Sequence, residues 1–136
     1  MLRESVELQP YNTLSLHARA ALFCETKNIE ELQAALALAR ERKLSVLPLG
    51  EGSNIVLTQD YDGMVLRFRD ETIKVEYEDE ACVHVSVGAG MRWHDWVESS
   101  IASYWYGLEN LALIPGMVGA APVQNIGAYG IEVADF

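Results

Sequence analysis

Apolar residues recur at spacings of three and four from Leu32 through Ala35 and Leu36 to Ala39. That period predicts an amphipathic helix over residues 29–42. Asn28 stands where a capping side chain is needed. Glu30 and Glu31 follow in the first turn, and Arg40, Arg42 and Lys43 sit at the other end, an arrangement that complements the helix dipole. Around this helix the pattern shortens. Residues 20–24, 44–49 and 64–68 are apolar runs of strand length, and Ile55-Val56-Leu57 reads as one more. Asp62-Gly63 carries a turn signal between the last two runs. Residues 1–18, ending in Asn12-Thr13-Leu14, read as an irregular arm. The first half is therefore expected to run β-α-β, Gly-rich loop, β, turn, β.

Beyond residue 70 the period becomes two. Ile73, Val75 and Tyr77 alternate with Lys74 and Glu76, and Val83, Val85 and Val87 share one face after the acidic turn Glu78-Asp79-Glu80. This is an antiparallel hairpin pattern. A helix is expected from Met91 to Ser103, with Trp93, Trp96, Val97, Ser100 and Ile101 on its apolar stripe. The remainder, GLENLALIPGMVGAAPVQNIGAYG over residues 107–130, is nearly uncharged and interrupted by Gly and Pro. Such backbone is used where main chain approaches something closely. Ile131–Phe136 reads as the start of an element whose partners lie outside the chain, so the chain is expected to be a truncated piece.

The densest chemistry lies in Gly50-Glu51-Gly52-Ser53-Asn54, between two strands. Glycines there permit positive φ, and successive N–H groups in such a turn form an anion-binding nest. The loop serves equally well as a tight turn whose glycines are geometric only, and the residues alone leave both readings open. It is neither a Rossmann fingerprint, which must open a helix, nor a P-loop, which needs Gly-Lys-Ser/Thr.

Charge narrows the ligand classes. The formal net charge is −10, and after Arg92 there is no Lys or Arg. Nucleic acid and anionic membranes, which require clustered cations, are not expected partners. No apolar run reaches the roughly 20 residues of a membrane span, and the N-terminus lacks a signal-like apolar stretch, so the cytoplasm is the default location. Cys24 and Cys82 are far apart without CxxC spacing. A metal site or disulfide framework is not expected, and two buried thiols are. His84 is expected to be exposed or between strands. His94 and Asp95 read as a solvent-facing pair, since adjacent helical positions do not face each other. Trp93, Trp96, Tyr104, Trp105 and Tyr106 read as aromatic core. Glu109 reads as a hydrogen-bonding or capping residue.

Two longer stretches then resemble a known family. PLGEGSNIVLTQDYDGMVL, residues 48–66, is similar to the phosphate loop of FAD domains of the vanillyl-alcohol-oxidase type. Residues 107–130 resemble, almost position by position, the signature of the UDP-N-acetylenolpyruvoylglucosamine reductases, whose N-terminal Asn-Thr motif Asn12-Thr13 also matches. The resemblance runs from about Pro10 to Phe136. It implies an α+β (mixed α/β) fold, a two-lobed FAD-binding domain of the vanillyl-alcohol-oxidase/PCMH type, with a first lobe over 1–68 and an incomplete second lobe over 69–136; a substrate-binding domain would be absent. It implies that Gly50, Glu51, Gly52, Ser53 and Asn54 cradle the FAD pyrophosphate. Ile114, Pro115, Gly116, Gly119 and Ala120 would form a wall against the cofactor, and Gln124, Asn125, Ile126, Gly127, Ala128 and Tyr129 would approach the flavin or shape the loop beside it. In that family NADPH reduces FAD, and the flavin passes hydride to UDP-GlcNAc-enolpyruvate in cytoplasmic peptidoglycan precursor synthesis, a step tied to cell shape and division. The family's serine, glutamate and arginine have no counterpart among residues 1–136, so no catalytic residue is expected here. Flavin oxidases that hold FAD covalently are disfavoured, because no His or Cys lies between Leu44 and Ala81. A small nucleotide-holding module without enzymatic activity is the remaining alternative.

Overall fold

A computed structural model describes residues 2–136. The chain folds as two units, residues 1–70 and 71–136.

The first unit is a four-stranded mixed sheet with one helix. Its strands are β1 (Leu2–Glu7), β2 (Arg19–Thr26), β3 (Val46–Pro48) and β4 (Tyr61–Phe68), and its helix is α1 (Ile29–Glu41). The spatial order is β1-β2-β4-β3. β1 pairs antiparallel with β2, whereas β4 pairs parallel with both β2 and β3. The pleat sends alternate side chains to opposite faces. Leu22, Cys24, Met64 and Leu66 pack under Ala35 and Ala39 of α1. Phe23 and Val65 turn the other way, onto Leu8, Ala18 and Leu49 from the connecting segments. The helix begins as its sequence dictates: Asn28 accepts the Glu31 N–H at 2.8 Å, and the Glu31 carboxylate accepts the Lys27 N–H at 2.8 Å.

Three expectations are corrected here. The supposed irregular arm contains β1, a strand whose charged residues Arg3, Glu4 and Glu7 hide its period, as is common where a strand forms a sheet edge. Residues 55–57 are not a strand. Ile55 and Leu57 reach the core while Val56 is exposed, so a loop copies a strand's alternation. Asp62-Gly63 is no turn but lies inside β4. A Cβ on Gly63 would stand 2.6 Å from the Ser45 carbonyl oxygen, which accepts the Met64 N–H at 2.8 Å. The glycine is there for close strand approach.

The second unit contains the hairpin β5 (Ile73–Glu78) and β6 (Val83–Val87), helix α2 (Trp93–Ala102), the short helix α3 (Ala121–Gln124), and the two-residue strands β7 (Gly127–Ala128) and β8 (Ile131–Glu132). Its core is Trp93, Trp96, Val97, Leu111 and Ala121. The indole N–H of Trp93 donates to the Leu111 carbonyl at 2.8 Å, so the ring is buried without stranding its donor. Of the expected stripe on α2, Ile101 is exposed, as are Tyr104 and Tyr106 beyond it, so the aromatic core is Trp93, Trp96 and the half-buried Trp105. The C-terminal residues are not left without a partner: β8 pairs with β7, and the Val133 N–H donates to the Ile126 carbonyl at 2.8 Å. Of the two thiols, Cys24 is buried and Cys82 is exposed, contrary to the expectation of two buried ones.

Candidate functional site

The 50–54 loop leaves the carboxyl end of β3, a position at which parallel sheets commonly take ligands. The Leu49 N–H still donates to the Leu66 carbonyl at 2.9 Å, which fixes the loop's first residue to the sheet. Gly52 then adopts φ +73° and is buried. Its carbonyl accepts the Thr13 N–H at 3.1 Å. Among the described residues, the N–H groups of Gly50, Gly52 and Ser53 have no protein acceptor. Backbone donors without partners in a glycine turn are the equipment of an anion nest. Ser53 is half-buried and Asn54 exposed.

The glycine at position 52 serves a purpose that the sequence does not reveal. An ideal Cβ there would lie 2.1 Å from the Tyr11 carbonyl oxygen and 2.7 Å from Asn12 Cα. The missing side chain makes room for the chain's own backbone. Gly52 is thus required by geometry, and the N–H groups of Gly50, Gly52 and Ser53 carry no protein acceptor beside it among the described residues.

Arg67 belongs to the surroundings of the loop, although no motif in the sequence marks it. It pairs across the sheet with Glu25 in register, and its guanidinium lies 3.4 Å from that carboxylate. Arg3 shares the same carboxylate at 3.3 Å and donates to the Tyr11 hydroxyl at 3.0 Å. Arg67 stacks over the Tyr11 ring at 5.1 Å. Its side chain is 11% exposed. Burial, then Arg69, pull its pKa below the ordinary arginine value, while Glu25, Tyr11 and the loop's own Glu51 oppose the shift. The signal available in the sequence was alternation: Arg67 falls two residues after the core residue Val65, on the face that also carries Phe23 and Glu25.

In the second unit, Ile114, Ile126 and Ala128 are half-buried against the unit's own core. Gly116 is buried with φ +130°, and its carbonyl accepts the Trp93 N–H at 2.9 Å. Gly119 packs on Ala89: a Cβ there would meet the Ala89 methyl at 2.6 Å. Gly127 similarly leaves room for the Ile131 carbonyl, 2.9 Å from its ideal Cβ. Pro115, Gln124, Asn125 and Tyr129 are exposed, and Ala120 is half-buried. The Asn125 side chain donates to Glu132 at 2.6 Å. Leu113, Asn125 and Tyr129 all adopt positive φ, and Leu113 and Tyr129 are 75% and 88% exposed. Bulky residues in the left-handed region are uncommon, and they concentrate at ligand clamps.

The remaining candidates stay on the surface. His84 is exposed, with its ring edge-on to Tyr77 at 5.6 Å. His94 is half-buried rather than fully solvent-facing; its Nδ1 accepts the Leu113 N–H at 3.4 Å, and Asp95 is exposed. Glu109 accepts the Gly107 N–H at 2.8 Å, the capping role open to it.

A family described as FAD binding domain matches residues 20–136, and the chain belongs to it. Within that class its relatives are specific. It is 50% identical over 133 residues to the UDP-N-acetylenolpyruvoylglucosamine reductase of Chromobacterium violaceum, covering 98% of this chain and 39% of that protein. It is 46% identical over 134 residues to the enzyme of the same name from Neisseria gonorrhoeae, with 98% of this chain and 39% of that protein covered. The crystal structure of UDP-N-acetylenolpyruvylglucosamine reductase from Thermus caldophilus superposes with a TM-score of 0.74 at 30% identity, over 99% of this chain and 47% of that one. The chain thus spans about 39% of the length of the curated relatives it matches. The mixed α+β fold expected from the sequence is the one found.

Proposed function

We propose that this chain is the FAD-binding part of a UDP-N-acetylenolpyruvoylglucosamine reductase, and that the 50–54 loop receives the cofactor's diphosphate. The observation that carries the reading is the set of partnerless N–H groups on Gly50, Gly52 and Ser53 at the carboxyl end of a parallel strand. A diphosphate is an anion with many acceptor oxygens, and backbone donors suit it where cations are few. Ser53 and Asn54 add neutral donors.

Ile114, Pro115, Gly116, Gly119, Ala120 and the 124–129 stretch supply the surface against which the rest of the cofactor rests. Tyr129, exposed and left-handed, is the aromatic side chain of that stretch. FAD, when bound, supplies the hydride chemistry. This chain's residues bind and orient it. Reduction by NADPH, transfer to UDP-GlcNAc-enolpyruvate, and a place in cytoplasmic peptidoglycan synthesis belong to the whole protein in this reading, as do the cell-shape and division roles that follow from it.

The test is a titration of the purified chain with FAD, followed by flavin fluorescence and visible spectrum, with inorganic pyrophosphate as competitor. Weak, saturable binding at no more than one FAD per chain, lowered further by pyrophosphate, is expected. No spectral change up to millimolar FAD, by a chain whose circular dichroism shows it folded, overturns the reading.

A further inference from the structure

Asn12 is almost wholly buried, yet it is polar and lies in an irregular connection. Its side chain is fully engaged with main chain. Nδ2 donates to the carbonyls of Leu8 at 2.9 Å and Leu16 at 3.0 Å, and Oδ1 accepts the Leu16 N–H at 2.9 Å. One amide group thereby ties residues 8 to 16 into a closed ring. The Ser15 N–H, donating to the Asn12 carbonyl at 3.1 Å, tightens it further. A buried amide satisfied at both ends fixes backbone more firmly than an apolar side chain would, because leaving either end unpaired is costly.

What that ring presents is the seat of Gly52. The Tyr11 carbonyl and Asn12 Cα occupy the volume that a side chain at Gly52 would fill, and the Thr13 N–H holds the Gly52 carbonyl. Gly50, Gly52 itself and Ser53 carry the N–H groups that have no protein acceptor among the described residues. The conformation of the nest is therefore set from outside the loop, by a side chain 40 positions earlier.

We infer that Asn12 is a positioning residue for the 50–54 loop: by closing the 8–16 ring it holds the Tyr11–Asn12 backbone against Gly52, and so keeps the Gly50, Gly52 and Ser53 N–H groups disposed toward a diphosphate. The diphosphate part of this statement rests on the reading given under Proposed function. The positioning part does not.

The experiment has two arms so that the two can fail separately. In the first, amide hydrogen exchange is followed by NMR in the wild-type chain and in Asn12→Ala, without ligand. Exchange at Thr13, which is bonded to Gly52, is expected to rise at least about tenfold, the scale set by losing a satisfied buried amide. Exchange at Phe23 and Val65 in the sheet core should stay within about twofold, as expected for sites without a shared partner. Unchanged exchange at Thr13 in a folded variant overturns the inference. In the second arm, FAD is titrated into both proteins. A rise in the dissociation constant of about tenfold or more, with the bound-flavin spectrum altered, supports the positioning role. Equal affinity and equal spectra refute it while leaving the cofactor assignment standing. A wild-type chain that binds no FAD sinks the cofactor assignment, and the exchange arm alone then decides the clamp. Where Asn12→Ala does not fold, Asn12→Ser, which gives up the reach to both carbonyls with less loss of volume, is read by the same exchange measurement and the same two outcomes.

Discussion

The Tyr11 carbonyl oxygen stands 2.1 Å from where the Cβ of residue 52 would be. Gly52 is thus held by the protein's own backbone as well as by its positive φ. Replacing it with Ala or Val forces apart two segments joined by the Thr13–Gly52 hydrogen bond. The expected cost is about 2–4 kcal/mol, from left-handed backbone and overpacking together. A lower midpoint in urea denaturation followed by circular dichroism checks it. Loss of yellow colour in such a variant would follow from the displaced arm alone. An unshifted midpoint would mean that the arm is not seated on the loop.

Helix α1 depends on one cap. Asn28→Ala removes the acceptor of the Glu31 N–H and is expected to cost about 1 kcal/mol. Asn28→Asp should retain most of that stability, because a carboxylate accepts the same bond beside the positive end of the helix dipole. Equal midpoints for Ala and Asp variants would show that the cap contributes nothing.

The turn of the β5–β6 hairpin should titrate unusually. Asp79 accepts bonds from the Tyr77 hydroxyl at 2.7 Å and from the N–H groups of Ala81 and Cys82 at 2.8 and 2.9 Å. These bonds, the Tyr77 one foremost, hold its pKa at about 2 against an ordinary value of 3.8. Because the folded value is the lower one, the turn's contribution is fully present above the ordinary value and is lost as pH falls through about 2. Carboxyl chemical shifts followed by NMR should give that midpoint, and Tyr77→Phe should move it upward. A midpoint of the wild type at the ordinary value would rule out the turn geometry.

The two cysteines should differ in reactivity. Cys82 is exposed and Cys24 buried, and burial pushes the Cys24 thiol up. With a chromogenic disulfide reagent, one thiol is expected to react in the native chain and a second only after denaturation. Two fast thiols in the folded protein would contradict the packing of β2 against α1.

The chain alone should not turn over substrate. Hydride transfer needs the acceptor held within about 3–3.5 Å of its donor, and developing charge must be met by a placed acid or cation. Residues 93–136 contain no Lys or Arg to do this. With FAD added, NADPH oxidation dependent on UDP-GlcNAc-enolpyruvate is expected to be absent. Turnover near that of a full-length relative would place the catalytic machinery inside these residues.

What the sequence discloses here follows from the range of each interaction. Helix α1 and the β5–β6 hairpin are legible because period, cap and turn all lie within a dozen residues. β1 is hidden because Arg3, Glu4 and Glu7 break the alternation that would mark it. Gly63 misleads because a glycine for strand approach and a glycine for a turn look alike until Ser45 is seen beside it. The 50–54 loop announces itself through its glycines. Its fit against Tyr11 and Asn12, and the stacking of Arg67 on Tyr11, join segments some forty to sixty residues apart in the chain and leave no local pattern. The exposed Tyr104 and Tyr106 show the opposite limit: aromatic character fixes no burial without a facing surface.

The placement of β4 in the sheet has a consequence for biosynthesis. Among the described residues β3 has no neighbour but β4, and the parallel partner of β2 is also β4. β4, the interior strand that joins β3 to the rest of the sheet, is the last of the four to leave the ribosome. Until Phe68 has emerged, the apolar side of α1 and both flanking strands must wait with open hydrogen-bonding edges, the condition under which nascent chains are captured by chaperones or pair with one another. A pause in translation, or a rare-codon stretch, just before β4 would lengthen that exposure, whereas the same delay after Phe68 would find the sheet already closed.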